Sequence, residues 1–96
     1  MIDSIRSILS RYQPRRADPD GRIQAAVALV LVPAGEGLEM LLIKRTERDD
    51  DPWSGQMAMP GGRRDAEDDD LCQTAIRETR EETAVDLGCA ELIGEL

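Results

Sequence analysis

A chain of 96 residues with a formal net charge of −8 and no histidine has room for one domain that buries about two thirds of its unfolded surface. Two cysteines without a secretory leader argue against a disulfide scaffold, and the longest apolar run, Ala25 to Val32, is too short to span a bilayer. The acidic balance disfavours nonspecific nucleic-acid binding, which needs a positive patch to displace counterions, so the expectation is a cytoplasmic domain with no nucleic-acid and no membrane partner.

Residues 1–13 carry Ile2, Ile5, Ile8, Leu9 and Tyr12 at helical spacing, with Asp3 or Ser4 near the start, and predict a short amphipathic helix whose plain role is packing. Pro14 to Gly21 is a polar linker rich in proline and aspartate, ahead of a domain expected over 22–96. Ile23 to Val32 lacks polar alternation and reads as a strand buried on both faces. The run Pro33-Ala34-Gly35-Glu36-Gly37 turns the chain and Leu38 to Arg45 returns, which predicts an antiparallel hairpin. Thr46 to Ser54 is a loop with a solvated acidic run, Asp49 to Asp51, and the only tryptophan, Trp53, which either stacks on an adenine base or anchors the loop. Met57 to Met59 is a short strand stopped by Pro60, and Pro60-Gly61-Gly62 reads as a turn that lets backbone approach a ligand. A helix follows; after it Val85 to Cys89 is a turn and Ala90 to Leu96 a further strand.

The helix is the informative part. Any of Asp68, Asp69 or Asp70 can cap it, and Asp70 with Gln73 resembles a capping box. A 100° step places Glu78, Glu81 and Glu82 within roughly 100° of one another on one face. Cys72, Ala75, Ile76, Thr79 and Thr83 form an adjacent face suited to a sheet, and Gln73, Arg77 and Arg80 take the remaining side. Converging carboxylates repel by roughly 4 kcal/mol at ~4 Å and an effective dielectric of ~20, and a bound dication would reverse that sign. Oxygen ligands without histidine favour Mg²⁺ or Mn²⁺ over zinc, and Cys72 and Cys89 do not make a zinc set. The bland alternative is a solvated, salt-bridged helix face. Carboxylates of the Asp65 to Asp70 run either join the outer shell of a metal site or are simply solvated.

Gly62-Arg63-Arg64-Asp65-Ala66-Glu67-Asp68-Asp69 through Arg77-Glu78-Thr79-Arg80-Glu81-Glu82-Thr83-Ala84-Val85 resembles the signature box of the Nudix hydrolases, which cut nucleoside diphosphates linked to another group. Two departures stand out. Counting forward from Gly62 puts the first acid of the box at Asp68, and counting back from Arg77 puts it at Asp69. In the family that acid steadies the arginine, so Asp69 pairing with Arg77 is the preferred assignment and Asp68 the alternative. Ala84 stands where the box has a glycine near its end.

Leu41-Leu42-Ile43-Lys44-Arg45-Thr46 with Gly55-Gln56-Met57-Ala58-Met59-Pro60-Gly61-Gly62 is similar to the additional signature of the coenzyme A pyrophosphatase branch. Ile43, Thr46 and Met59 depart from its usual residues, and Asp49 to Asp51 occupy the loop where an arginine is usual. The resemblance implies an α/β (α+β) fold: a Nudix-like mixed β-sheet with the catalytic helix packed on it, here an incomplete α/β/α sandwich that lacks the usual C-terminal strands and helix. A fragment, a chain completed by a partner such as a homo-oligomer, and a reduced domain that folds alone are all compatible with it.

Carried over to this sequence, the resemblance implies Glu78 and Glu82 as metal ligands, the Gly61 carbonyl as a further one, and Glu81 as a ligand or the base. Arg77 completes the catalytic set, and Mg²⁺ or Mn²⁺ is the expected cofactor. Arg45, Arg63 and Arg64 are candidates for phosphate contacts by charge and position. The expected partner is a small nucleotide substrate, coenzyme A or an acyl-CoA, giving 3',5'-ADP and 4'-phosphopantetheine. Another nucleoside diphosphate compound, or a non-catalytic binding module, is the alternative.

Overall fold

The computed structural model describes residues 1–16, 18, 20–52 and 54–96; the expected roles of Trp53 lie outside the described residues. In chain order the elements are helix α1 (Ile2–Arg11), strands β1 (Ala25–Val27), β2 (Leu31–Ala34), β3 (Gly37–Met40), β4 (Ile43–Lys44), β5 (Met57–Ala58) and β6 (Gly61–Arg63), helix α2 (Leu71–Thr83) and a 3-10 turn at Leu87–Cys89. The strands form three antiparallel ladders, β1 with β6, β2 with β3, and β4 with β5. The fold is therefore mixed α+β.

The apolar stretch from Ile23 to Val32 does not run as one strand. It divides into β1 and the start of β2, and its side chains alternate: Ala26, Ala28 and Val30 are half-buried while Val27 and Leu29 are 59% and 50% exposed. The expected burial on both faces fails because a single helix covers the ladder. Backbone bonds from Ala28 N–H to the Pro60 carbonyl (2.8 Å) and from Arg64 N–H to the Gln24 carbonyl (2.8 Å) extend the β1–β6 ladder at both ends. On the helix-facing side it presents Ala26, Ala28 and Gly62, small residues that let α2 come close. On the open side stand Ala25, Val27 and Arg63, with Ile23 beyond them 75% exposed.

The predicted hairpin is tighter than its sequence suggests, because Pro33 and Ala34 belong to β2 and pair with Leu38 and Gly37. That leaves a two-residue turn in which Gly35, at φ +56, supplies the left-handed conformation such a turn requires. The return strand breaks at Leu41 and Leu42, between β3 and β4. Pro60-Gly61-Gly62 is likewise not a turn: both glycines lie in β6, opposite Val27 and Ala26.

Helix α1 has no fully buried residue and no side-chain cap, so neither Asp3 nor Ser4 caps it. Arg6 bonds Asp3 (2.6 Å) and Glu91 (2.7 Å), and Arg16 bonds Glu95 (2.9 Å). These pairs hold the last segment beside α1. Residues 90–96 form no strand, contrary to the expectation, because that segment pairs with no backbone ladder. Among the described residues no large apolar side chain is fully enclosed, and the most enclosed are Thr74, Thr79 and Pro60. The tightest packing therefore lies between α2 and the β1–β6 ladder, around polar side chains.

Candidate functional site

Helix α2 begins where Asp70, extended at φ −155 and ψ 179, accepts from the Gln73 N–H (2.8 Å), so of the three candidates Asp70 is the cap. Its side chain satisfies one of the four free N–H groups of the first turn. The helix ends at Ala84, held left-handed at φ 64 and ψ 8 with its N–H on the Arg80 carbonyl (2.8 Å). Alanine thus adopts a left-handed conformation that glycine takes without steric cost.

The two glycines of β6 are required by proximity. A Cβ on Gly61 would enter the backbone of β1, meeting the Ala26 carbonyl oxygen and lying 2.6 Å from Val27 Cα. On Gly62 it would lie 2.6 Å from the Glu78 carboxylate, on the opposite face. The ladder explains what Gly61 offers. With 28/60 and 24/64 as hydrogen-bonded pairs, Gly61 and Arg63 sit at the alternate positions, where N–H and C=O both point away from β1. At this outer edge the Gly61 N–H donates to Glu82 Oε1 (2.8 Å), and the Arg63 carbonyl accepts from Arg77 Nη2 (3.0 Å). The Gly61 carbonyl faces the same edge.

Arg77 joins the parts. Sequence spacing puts it with Gln73 and Arg80 on the remaining side of α2, yet its side chain is only 29% exposed and every guanidinium nitrogen is used. Nε and Nη2 fork onto Asp68 Oδ1 and Oδ2, both at 3.0 Å, while Nη1 takes Glu78 (2.9 Å) and Glu81 (3.2 Å). The preferred pairing of Arg77 with Asp69 is therefore corrected to Asp68. The reason is local: Asp68 also accepts from the Asp65 N–H (2.9 Å) and the Thr74 hydroxyl (2.9 Å), which closes the loop around it. Asp69 stays exposed and contributes its carbonyl to Arg64. The Arg77 guanidinium, aided by the Asp65 N–H and Thr74, holds the Asp68 carboxyl well below the usual carboxylate range. Asp68 in turn raises Arg77 further, with Glu78 and Glu81 adding to it.

The other arginines divide. Arg45 is paired with Asp51 at 2.8 Å. Arg64 binds the loop itself, with Nη1 on Gln24 Oε1 (2.8 Å) and Nη2 on the Asp68 and Asp69 carbonyls (3.1 and 2.9 Å). Arg63 has no ion-pair partner among the described residues; with Arg22 and Arg64 it lines an open cavity of about 340 Å³ that also touches Asp65. Thr74, fully buried, was missed by the sequence reading, and the signal available was its position one turn before Arg77.

As the side chains stand, no three acidic or cysteine side chains among the described residues gather closely enough to hold a metal ion. Glu78 and Glu81 rest on Arg77, and Glu82 rests on Gly61. The donor chemistry nonetheless suits a hard dication, since Glu82 and the Gly61 carbonyl share a strand edge and the Glu78 carboxylate lies against Gly62 beside it.

A family profile described as the NUDIX domain matches residues 21–96. The chain is similar to an uncharacterized protein of Schizosaccharomyces pombe, 38% identical over 83% of this chain and 29% of that protein. It is also similar to proteins named uncharacterized Nudix hydrolase NudL. That of Yersinia enterocolitica is 32% identical over 97% of this chain and 49% of its own length, and that of Citrobacter koseri 41% identical over 92% and 47%. The chain thus spans about half the length of these bacterial relatives, and less than a third of the yeast one. Among the described residues no helix is long and apolar enough to cross a membrane. With its glycine strand and its arginine-centred acidic helix both inside the matched region, the chain belongs to the NUDIX domain family.

Proposed function

We propose that this chain carries the metal-binding edge of a pyrophosphohydrolase that hydrolyses nucleoside diphosphate derivatives. The observation that carries the reading is the shared strand edge, where Glu82 meets Gly61, the Gly61 carbonyl faces the same way, and Glu78 lies against Gly62. Glu78, Glu82 and the Gly61 carbonyl would hold Mg²⁺ or Mn²⁺, with Glu81 a fourth ligand or the base. When bound, such an ion supplies Lewis acidity toward a phosphoryl oxygen and lowers the pKa of a coordinated water.

The protein's own part is placement. Asp68 anchors Arg77, which holds Glu78 and Glu81 over the edge; the close approach of α2 to Gly62 keeps that spacing short. Arg63 and Arg22, at the far end of β6, supply positive charge for a phosphate group of the substrate. Coenzyme A or an acyl-CoA is the favoured substrate, supported by the segments Leu41 to Thr46 and Gly55 to Gly62, with 3',5'-ADP and 4'-phosphopantetheine as products. Arg45, in the first of these segments, would contact phosphate only by leaving Asp51.

The test is a panel of coenzyme A, ADP-ribose and nucleoside diphosphate compounds assayed with Mg²⁺ or Mn²⁺, for the wild type and for Glu82→Gln. The amide oxygen of glutamine still accepts from the Gly61 N–H, so the variant is expected to fold normally and to lose turnover by a hundredfold or more, about the cost of removing one pre-placed charged group. Cleavage of ADP-ribose with coenzyme A untouched would defeat the substrate assignment. Ligand binding without metal-dependent hydrolysis would favour a binding module, and an active Glu82→Gln would remove Glu82 from the ligand set.

A further inference from the structure

We propose that Thr74 is a positioning residue: its hydroxyl, shut off from water, fixes the Asp68 carboxylate and thereby the direction in which Arg77 presents Nη1 to Glu78 and Glu81. The inference rests on reading this edge as a divalent-cation site. Thr74 is 0% exposed, and its Oγ1 lies 2.9 Å from Asp68 Oδ2 and 3.3 Å from the Asp70 carbonyl oxygen. A hydroxyl has one proton to give. A carboxylate forked by a guanidinium is ionised and only accepts, so the short contact to Asp68 requires Thr74 as its donor.

The geometry shows what that bond does. Asp68 Oδ2 receives Arg77 Nη2, the Asp65 N–H and the Thr74 hydroxyl, whereas among the described residues Oδ1 receives only Arg77 Nε. The torsion that turns a carboxylate about its Cβ–Cγ bond is soft, so the donors on Oδ2 decide its plane. The planar guanidinium then follows as a rigid fork. Its remaining nitrogen, Nη1, carries both Glu78 and Glu81, so a tilt at Asp68 reaches both carboxylates. Helix capping does not account for Thr74, since Asp70 already caps α2 and a bond to the carbonyl four residues back slightly destabilises a helix.

Thr74→Val keeps the shape and removes the hydroxyl, while Thr74→Ser keeps the hydroxyl and removes a methyl. If Thr74 only filled space, valine would be the milder change. Positioning demands the reverse order. Mn²⁺ affinity, read by electron paramagnetic resonance, should fall about 10- to 100-fold in Thr74→Val, as for the loss of a partner that orients a ligand, and stay within about threefold of wild type in Thr74→Ser. In the metal-free chain the Arg77 Nε–H resonance should be protected in the wild type and in Thr74→Ser and lost in Thr74→Val. Should valine prevent folding, Thr74→Ala against Thr74→Ser makes the same comparison, both lacking the methyl and only the former lacking the hydroxyl. Wild-type affinity with a retained resonance in Thr74→Val or Thr74→Ala would overturn the proposal, as would their loss in Thr74→Ser. A wild type that binds no Mn²⁺ would instead overturn the cation-site reading, and the resonance would still decide the role of Thr74.

Discussion

Adding one methyl to each of two neighbouring glycines should produce opposite phenotypes. In Gly62→Ala the new Cβ would stand 2.6 Å from the Glu78 carboxylate, about 1 Å inside the ~3.5 Å at which carbon and oxygen rest comfortably. The obstructing atoms end a flexible side chain, so Glu78 swings away and the fold loses less than about 1 kcal/mol. The displaced group is a proposed metal ligand, and a misplacement of about 1 Å in such a group costs on the order of 100-fold in function. In Gly61→Ala the new atom meets the Ala26 carbonyl and Val27 Cα, which cannot move without parting β1 from β6. That overpacking costs about 1–3 kcal/mol, at ~4–8 °C of melting temperature per kcal/mol in a domain of this size. Urea unfolding followed by circular dichroism, with Mn²⁺ binding followed by paramagnetic resonance, separates the two effects. Equal destabilisation by both substitutions, or unchanged Mn²⁺ affinity in Gly62→Ala, would refute the reasoning.

Ala84→Gly relieves an alanine at φ 64 and should raise the unfolding free energy by about 1 kcal/mol, the left-handed penalty less the greater chain entropy of glycine; an unchanged urea midpoint would count against the helix exit described. The carboxyl of Asp68, held low by Arg77, contributes stability that is complete above the ordinary carboxylate pKa of about 4 and is lost as pH falls toward its own lower value. Urea midpoints between pH 7 and pH 2 should therefore decline in acid for the wild type. Asp68→Asn should begin lower at pH 7 and decline less steeply, and parallel curves would contradict the Arg77 pairing.

What the sequence revealed was mainly what is local. Helix α2 and the capping pair of Asp70 with Gln73 follow from residue spacing and short-range hydrogen bonding, but the expected face of Cys72, Ala75, Ile76, Thr79 and Thr83 leaves out Thr74, one of the most enclosed side chains. The first helix and the hairpin turn at Gly35 are legible for the same reason. Partner choice across the chain was not. Whether Asp68 or Asp69 takes Arg77 depends on how the loop from Asp65 closes, which spacing counts left ambiguous by one residue. Gly61 and Gly62 signal the need for close approach but not its form, since a glycine pair suits a turn and a crowded strand alike. The strand expected after Ala90 failed because apolar spacing says nothing about whether a neighbouring strand is there to receive it.

The way the ladders are distributed also bears on how the molecule breathes. Helix α2 packs on β1 and β6 but makes no comparable contact with the β2–β3 hairpin, whose two strands bond chiefly to each other. Local opening needs only the contacts of the opening unit to be broken, so the hairpin can exchange its amide hydrogens with solvent deuterium while the α2 layer stays shut. Amides such as those of Ala26 and Ala28 should then be the slowest to exchange, and the proposed catalytic edge would sit in the part of the chain that unfolds last.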